Sequence, residues 1–271
     1  MYLEPDKYYH IYNHANGFEN VFRCKENHLF FLNKYRFHLL PFFDTYAYCL
    51  MPNHFHFLVR VKSREEMLES MEKILSTPTL PQTLPQTLPK FETSVKLQEV
   101  KLQEVKLEVK DLPDFFRLEK IAPSSRIKTY SKFLRKYIQL SNISQTDHTA
   151  SDLFIGQLIS RQLGDLFSSY TQAFNKQFNR MGGIFIKNFE RKEVDSSTYL
   201  LNLVTYINNN PVYHGFANKA EEWPYSSYND VLNNRSDIVE CTTVIEWFND
   251  LQNFIDCHKK TPDIDFGYSF E

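Results

Sequence analysis

The run YYHIYN at residues 8–13 is aromatic and β-branched and closes on a turn-like stretch from His14 to Gly17, so it predicts a first strand. Between residues 25 and 40, Leu29, Phe30, Leu32, Tyr35, Phe37, Leu39 and Leu40 are spaced for a helix with one apolar face. Residues 44–61, DTYAYCLMPNHFHFLVRV, read as two strands around a turn at Met51-Pro52-Asn53. In the second of these, alternation sends His54, His56 and Leu58 to one face and Phe55, Phe57 and Val59 to the other. Ile127, Tyr130, Phe133, Leu134 and Tyr137 mark a helix over 124–138. A stronger amphipathic helix over 153–180 carries Leu158, Ile159, Leu163, Leu166, Phe167, Tyr170, Phe174 and Phe178, and is expected to stop at Gly182-Gly183. A short strand at 184–186 is expected next, then a helix over 196–209 with Asp195 as its N-cap and Pro211 as its end. From Val212 onward the pattern supports only loop and short helices.

One stretch breaks the pattern. Within residues 76–112, TLPQ-TLPQ-TLPK repeats every four residues and KLQEV-KLQEV-KLEVK roughly every five, and neither period fits a helix or strand face. The proline-rich half predicts an extended spacer, and the whole reads as an insertion in a surface loop. The expected organisation is therefore a body at 1–236, interrupted at 76–112, followed by an acidic extension at 237–271.

Charge and composition narrow the function classes. The chain of 271 residues has a formal charge of −2, but 237–271 hold eight acids against two bases, leaving the first 236 residues at +4. A mildly basic body suits an anionic partner. With only 7 glycines and no GxGxxG or GxxxxGK[ST], nucleotide-cofactor binding of those kinds is not expected. Cys24, Cys49, Cys241 and Cys257 are scattered without CxxC, which argues against a disulfide scaffold or zinc ribbon. Cys49 reads as a packed thiol. The first residues lack a signal-peptide pattern and no apolar run is long enough to span a bilayer, so a cytoplasmic protein is expected.

Candidate chemistry begins with His54-Phe55-His56. On a strand both imidazoles leave one face, so both can reach one divalent ion. Two histidines on a half-exposed strand are the plainer reading, and a catalytic metal needs a third ligand and open positions. The helix ending YINNNP offers Tyr206 and Asn210, four residues apart and on one face. A phenol oxygen beside a metal-bound phosphate can attack it as a nucleophile, and Asn210 could supply a carbonyl oxygen as third ligand. Tyr206 could equally be a packed aromatic, one of 16 tyrosines. Tyr199 and Tyr213 flank it as rival nucleophiles, and His10 reads as structural.

Taken in order, YYHIYN (8–13), AYCLMPNHFHFLV (47–59), YLLNLVTYINNNPVYHGF (199–216) and WPYSSY (223–228) resemble the single-tyrosine HUH transposases, the insertion-sequence-type and REP-associated enzymes. The resemblance covers roughly 8–62 and 125–230. It implies a ferredoxin-like α+β core with the HxH on a central antiparallel strand, Mg²⁺ or Mn²⁺ as cofactor, and single-stranded or hairpin DNA as partner. It implies His54 and His56 as metal ligands, Asn210 as the third and Tyr206 as nucleophile. The implied reaction is cleavage of one strand through a 5′-phosphotyrosine with release of a 3′-OH, then strand transfer, without ATP. The family usually carries Arg where this chain has His14 and a basic residue where it has Asn188, so two positive charges are lost near the expected DNA path. Family members occur as monomers and as dimers with exchanged helices, which leaves a homodimer open.

Two basic, aromatic-rich stretches are candidates for phosphate contact: Arg126, Lys128, Lys132, Arg135 and Lys136, and, farther on, Lys176, Arg180, Lys187, Arg191 and Lys192. A solvated helix face explains the first equally well. Three functions follow in order of expectation: a metal-dependent DNA strand-transferase, a nucleic-acid-binding relative that no longer cuts, and a phosphodiesterase that uses activated water.

Overall fold

A computed structural model describes residues 2–76, Lys132 and 149–259. It is a mixed fold built on one antiparallel four-stranded sheet. The chain runs β1 (Tyr8–His14), α1 (Lys25–Leu39), β2 (Phe43–Leu50), β3 (His54–Val61), α2 (Arg64–Ser76), α3 (Thr149–Phe178), β4 (Glu190–Val194) and α4 (Ser197–Tyr213). A 3₁₀ turn at Ala220–Glu222 and three short helices follow: α5 (Tyr228–Leu232), α6 (Cys241–Trp247) and α7 (Leu251–His258). The sheet order is β2-β3-β1-β4, so β3 is an interior strand hydrogen-bonded on both sides.

The two faces of β3 follow from its alternation. Phe55 and Phe57 enter the aromatic core under α1 and α3, where Tyr35 stacks on Phe57 at 4.3 Å and Phe167 on Phe55 at 5.7 Å. The histidine face is covered by α4, which packs on β2 and β3. The Met51–Asn53 hairpin is closed by Met51 N–H donating to the His54 carbonyl at 2.8 Å. It is held from outside by Val21 and Phe22 N–H groups on the Pro52 carbonyl, at 2.7 and 3.0 Å.

Several expected boundaries move. Helix α3 ends at Asn179, which takes φ +48°, before the Gly182-Gly183 pair is reached. Asparagine is one of the few side chains that enter the left-handed region at low cost. Residues 184–186 form a single bridge, Phe185 to Ala15, and no strand. The N-cap of α4 is Ser196, whose hydroxyl accepts from Tyr199 N–H, and not Asp195. Pro211 lies inside α4, which runs on to Tyr213. What stops it is Gly215 at φ +72°: its N–H reaches the Val212 carbonyl at 3.1 Å and Phe216 N–H reaches the Pro211 carbonyl at 2.8 Å, a Schellman closure. Helix α2 and strand β4 were not expected from the pattern.

Among the described residues, no helix is long and apolar enough to cross a membrane. Nearly all of the repeat segment at 76–112, and the helix expected over 124–138, lie outside the described residues; Lys132 is helical and exposed.

Candidate active site

Register brings the histidines of two strands together. Because β1 pairs antiparallel with β3, Tyr12 lies opposite His56 and His14 opposite His54. With period-two alternation His10, Tyr12, His14, His54 and His56 share one face. His10 Nε2 stands 2.9 Å from His56 Nδ1, both rings buried. His14 stacks on His54 with ring centroids 5.4 Å apart, and His214, just past α4, lies 5.1 Å from the His54 ring.

Helix α4 delivers Tyr206 and Asn210 to the same place. Asn210 Oδ1 is 2.8 Å from His54 Nε2, and the Tyr206 ring meets the His56 ring edge-on at 5.6 Å. Tyr213 stacks beside Tyr206 at 6.0 Å. The helix is fixed by its other asparagines. Ser227 Oγ–H donates to Asn208 Oδ1 at 2.7 Å, and Asn209 Nδ2–H donates to the His258 carbonyl at 2.9 Å. Ser227 Oγ in turn accepts from the Tyr48 N–H of β2 at 3.0 Å.

Burial dominates the electrostatics. It lowers His54 to about 4, so that imidazole is neutral near pH 7, and holds His56 well below the usual histidine range. It pushes Tyr206 up to about 12, while the side chain of Asn210 pulls the other way by favouring the phenolate. Asn210 Nδ2 is buried without a hydrogen-bond partner.

His54 carries the information about a metal. Its Nδ1 lies 2.8 Å from Asn53 Oδ1 while its Nε2 lies 2.8 Å from Asn210 Oδ1. A neutral imidazole owns one N–H, so it can donate to only one of two oxygens. With the proton on Nδ1 and shared with Asn53, the His54 Nε2 and Asn210 Oδ1 lone pairs converge. Two adjacent ligands of an octahedral ion with bonds of about 2.1 Å stand roughly 3 Å apart, so this pair fits one divalent cation. A half-turn of the Asn210 amide would relieve the clash without a cation. Among the described residues no group of three or more His, Cys, Asp and Glu side chains is placed to hold a metal, so the third ligand would have to be the amide.

The basic candidates divide. Lys176 and Lys187 are exposed; Lys192 is exposed on edge strand β4, opposite His10 in register and with its ammonium 5.0 Å from the Tyr199 ring centre. Arg191 lies over Phe189, and Arg180 is held by Glu19 at 3.0 Å. Arg126, Lys128, Arg135 and Lys136 lie outside the described residues. Sequence reading did not bring His14 and His214 to His54, because their approach depends on strand register and on the end of α4; it also passed over Asn53, a neighbour of His54 in sequence that it read only as part of a turn. It also missed Phe18 and Met181, fully exposed (108% and 91%) on two neighbouring loops tied by Asn16 N–H to the Ile184 carbonyl at 2.7 Å.

No family model and no curated protein matches the sequence. Among solved structures, a REP-associated tyrosine transposase bound to a REP hairpin is similar at 13% identity over 88% of this chain and 86% of that chain, with a TM-score of 0.40. A score that low does not establish a common fold, and the functional reading rests on the geometry of this chain.

Proposed function

We propose that this chain is a metal-dependent single-stranded DNA strand-transferase of the single-tyrosine HUH type, on a ferredoxin-like core in which β3 carries the HxH. The observation behind this reading is convergence: Tyr206 and Asn210, more than 140 residues beyond the HxH, reach His56 and His54 across the α4–β3 interface. His54, His56 and Asn210 would hold Mg²⁺ or Mn²⁺, which when bound supplies positive charge to the scissile phosphate and leaving oxygen.

Tyr206 is the nucleophile. Its Oη bonds to phosphorus as the P–O3′ bond breaks; the phenol gives up its proton and the leaving 3′ oxygen gains one. A second 3′-OH reverses the step and restores the phenol. The ester conserves the bond energy, in keeping with a chain that has no P-loop. Lys187 and Lys192, both exposed, are the candidates for backbone contact, Lys192 from the strand position opposite His10, whereas Arg191 alternates to the other face of the sheet, over Phe189. Phe18 offers an open ring to an unpaired base.

The test is incubation with hairpin single-stranded DNA and Mn²⁺, followed by denaturing electrophoresis. A protein–DNA adduct is expected for the parent and none for Tyr206→Phe. An adduct that survives in Tyr206→Phe rejects the nucleophile, and strand cleavage that survives without an adduct identifies the water-using phosphodiesterase. The rival reading, a binder that no longer cuts, is favoured by the net charge of −2 and by Arg180 being already engaged by Glu19. It predicts hairpin binding and no adduct from the parent.

A further inference from the structure

We propose that His10 is a positioning residue that fixes the tautomer of His56, so that His56 Nε2 is the nitrogen presented to the site. This rests on the metal-ion reading above, and deepens it by naming a residue outside the ligand set.

The geometry is a ring-nitrogen pair. His10 Nε2 and His56 Nδ1 are 2.9 Å apart, on rings 0% and 3% exposed. At that separation one proton lies between the two nitrogens. If His10 is the donor, His56 carries its own proton on Nε2 and cannot ligate through that atom. If His56 is the donor, its proton is on Nδ1 and its Nε2 lone pair is bare. Either way Nδ1 is occupied by His10 and is closed to an ion. Ligation by His56 therefore requires that Nδ1–H donate to His10 Nε2, with His10 protonated on Nδ1. A metal-binding histidine is commonly fixed by a hydrogen bond from its other nitrogen, and loss of such a partner lowers affinity. On the neighbouring ligand Asn53 has the matching place, at 2.8 Å from His54 Nδ1. His10 enters from β1 purely by strand register, which pairs it with Leu58, one step along the same face from His56.

The experiment reads the tautomer directly. Long-range ¹H–¹⁵N spectra of metal-free, ¹⁵N-labelled protein are recorded for the parent, His10→Gln, His10→Asn and His10→Phe, with Mn²⁺ affinity measured by calorimetry on the same samples. Glutamine places an acceptor oxygen near the position of His10 Nε2; asparagine and phenylalanine do not. Expected are an Nδ1–H His56 in the parent and in His10→Gln, and a shift to Nε2–H in His10→Asn and His10→Phe. Mn²⁺ affinity should fall by about 10–100-fold in those two variants and stay near the parent value in His10→Gln. An Nε2–H His56 in the parent, or an unchanged tautomer and unchanged affinity in His10→Asn, overturns the proposal. If His10→Phe does not fold, the Gln and Asn pair still decides. A parent that binds no Mn²⁺ while its His56 shows the His10-dependent tautomer overturns the metal reading instead.

Discussion

Asn208, Asn209 and Asn210 are buried side by side, yet each side chain has a different job. Successive helix positions turn by about 100°, so three consecutive amides face three directions. Asn208 and Asn209 bind Ser227 and His258, and only Asn210 faces His54. Its two neighbours hold the helix in place, and its own oxygen is the candidate ligand. Replacing that oxygen should separate the roles. Asn210→Asp should bind Mn²⁺ at least as tightly as the parent in calorimetry, since a carboxylate is the better partner for a hard cation. Asn210→Ala should lose about ten-fold or more, roughly 1.4 kcal/mol. Equal affinity in parent and Asn210→Ala would remove Asn210 from the ligand set. At this scale the sequence was informative wherever spacing alone sets direction: period two for His54 and His56, four residues for Tyr206 and Asn210. It did not place His14 and His214 beside His54, since the approach of His14 depends on the register of β1 on β3 and that of His214 on where α4 ends.

Elements with a strong apolar period were legible, and those without one were not. Strand β4 reads ERKEV, with only Val194 buried; as an edge strand it is charged rather than alternating. Helix α2 did carry a signal, the Ser63–Glu66 capping box, in which Glu66 N–H donates to Ser63 Oγ at 3.2 Å and Ser63 N–H donates to Glu66 Oε2 at 2.7 Å. The end of α4 was misplaced because proline is the more conspicuous stop. Pro211 forfeits one helical donor in the final turns, whereas Gly215 supplies the reversal itself. A Cβ at Gly215 would meet nothing within 4 Å, so a substitution there tests backbone conformation alone. Gly215→Ala should destabilise the protein by about 1–2 kcal/mol in urea unfolding, the cost of an L-residue in the left-handed region. No change would show that the turn is not held in that conformation in solution.

At the scale of the whole molecule, residues 237–259 pack against the body and brace α4. Val239 bridges to Thr45 on β2, Trp247 lies against Tyr46 at 4.4 Å, and Phe254 is fully buried. The acidic composition of this stretch said nothing of that role, because apart from Asp237, which pairs with Arg36 of α1 at 2.6 Å, the residues that dock are its few apolar ones and one histidine.

That histidine, His258, makes the brace sensitive to acid. Its Nδ1 is 2.7 Å from the Phe254 carbonyl, which can only accept, so Nδ1 carries the proton. Its Nε2 then accepts from Asn208 Nδ2 at 3.2 Å, a role open only to the neutral ring. Burial lowers His258 to about 4 in the folded chain, against about 6.5 when unfolded. Between those values the unfolded chain binds a proton that the folded chain refuses. Stability is therefore fully present above about pH 6.5 and falls as the pH drops toward 4, by about 1.4 kcal/mol per pH unit for each such group. His10 and His28, lowered by burial to about 3, and His54 act in the same direction. The parent should thus lose stability steeply between about pH 6.5 and about pH 4.5 in metal-free urea unfolding. His258→Gln, which keeps an amide for Asn208 and has no proton to gain, should start less stable and show a slope smaller by about one proton. Parallel slopes in the two proteins would mean that His258 takes up its proton without unfolding, and that α7 does not brace α4.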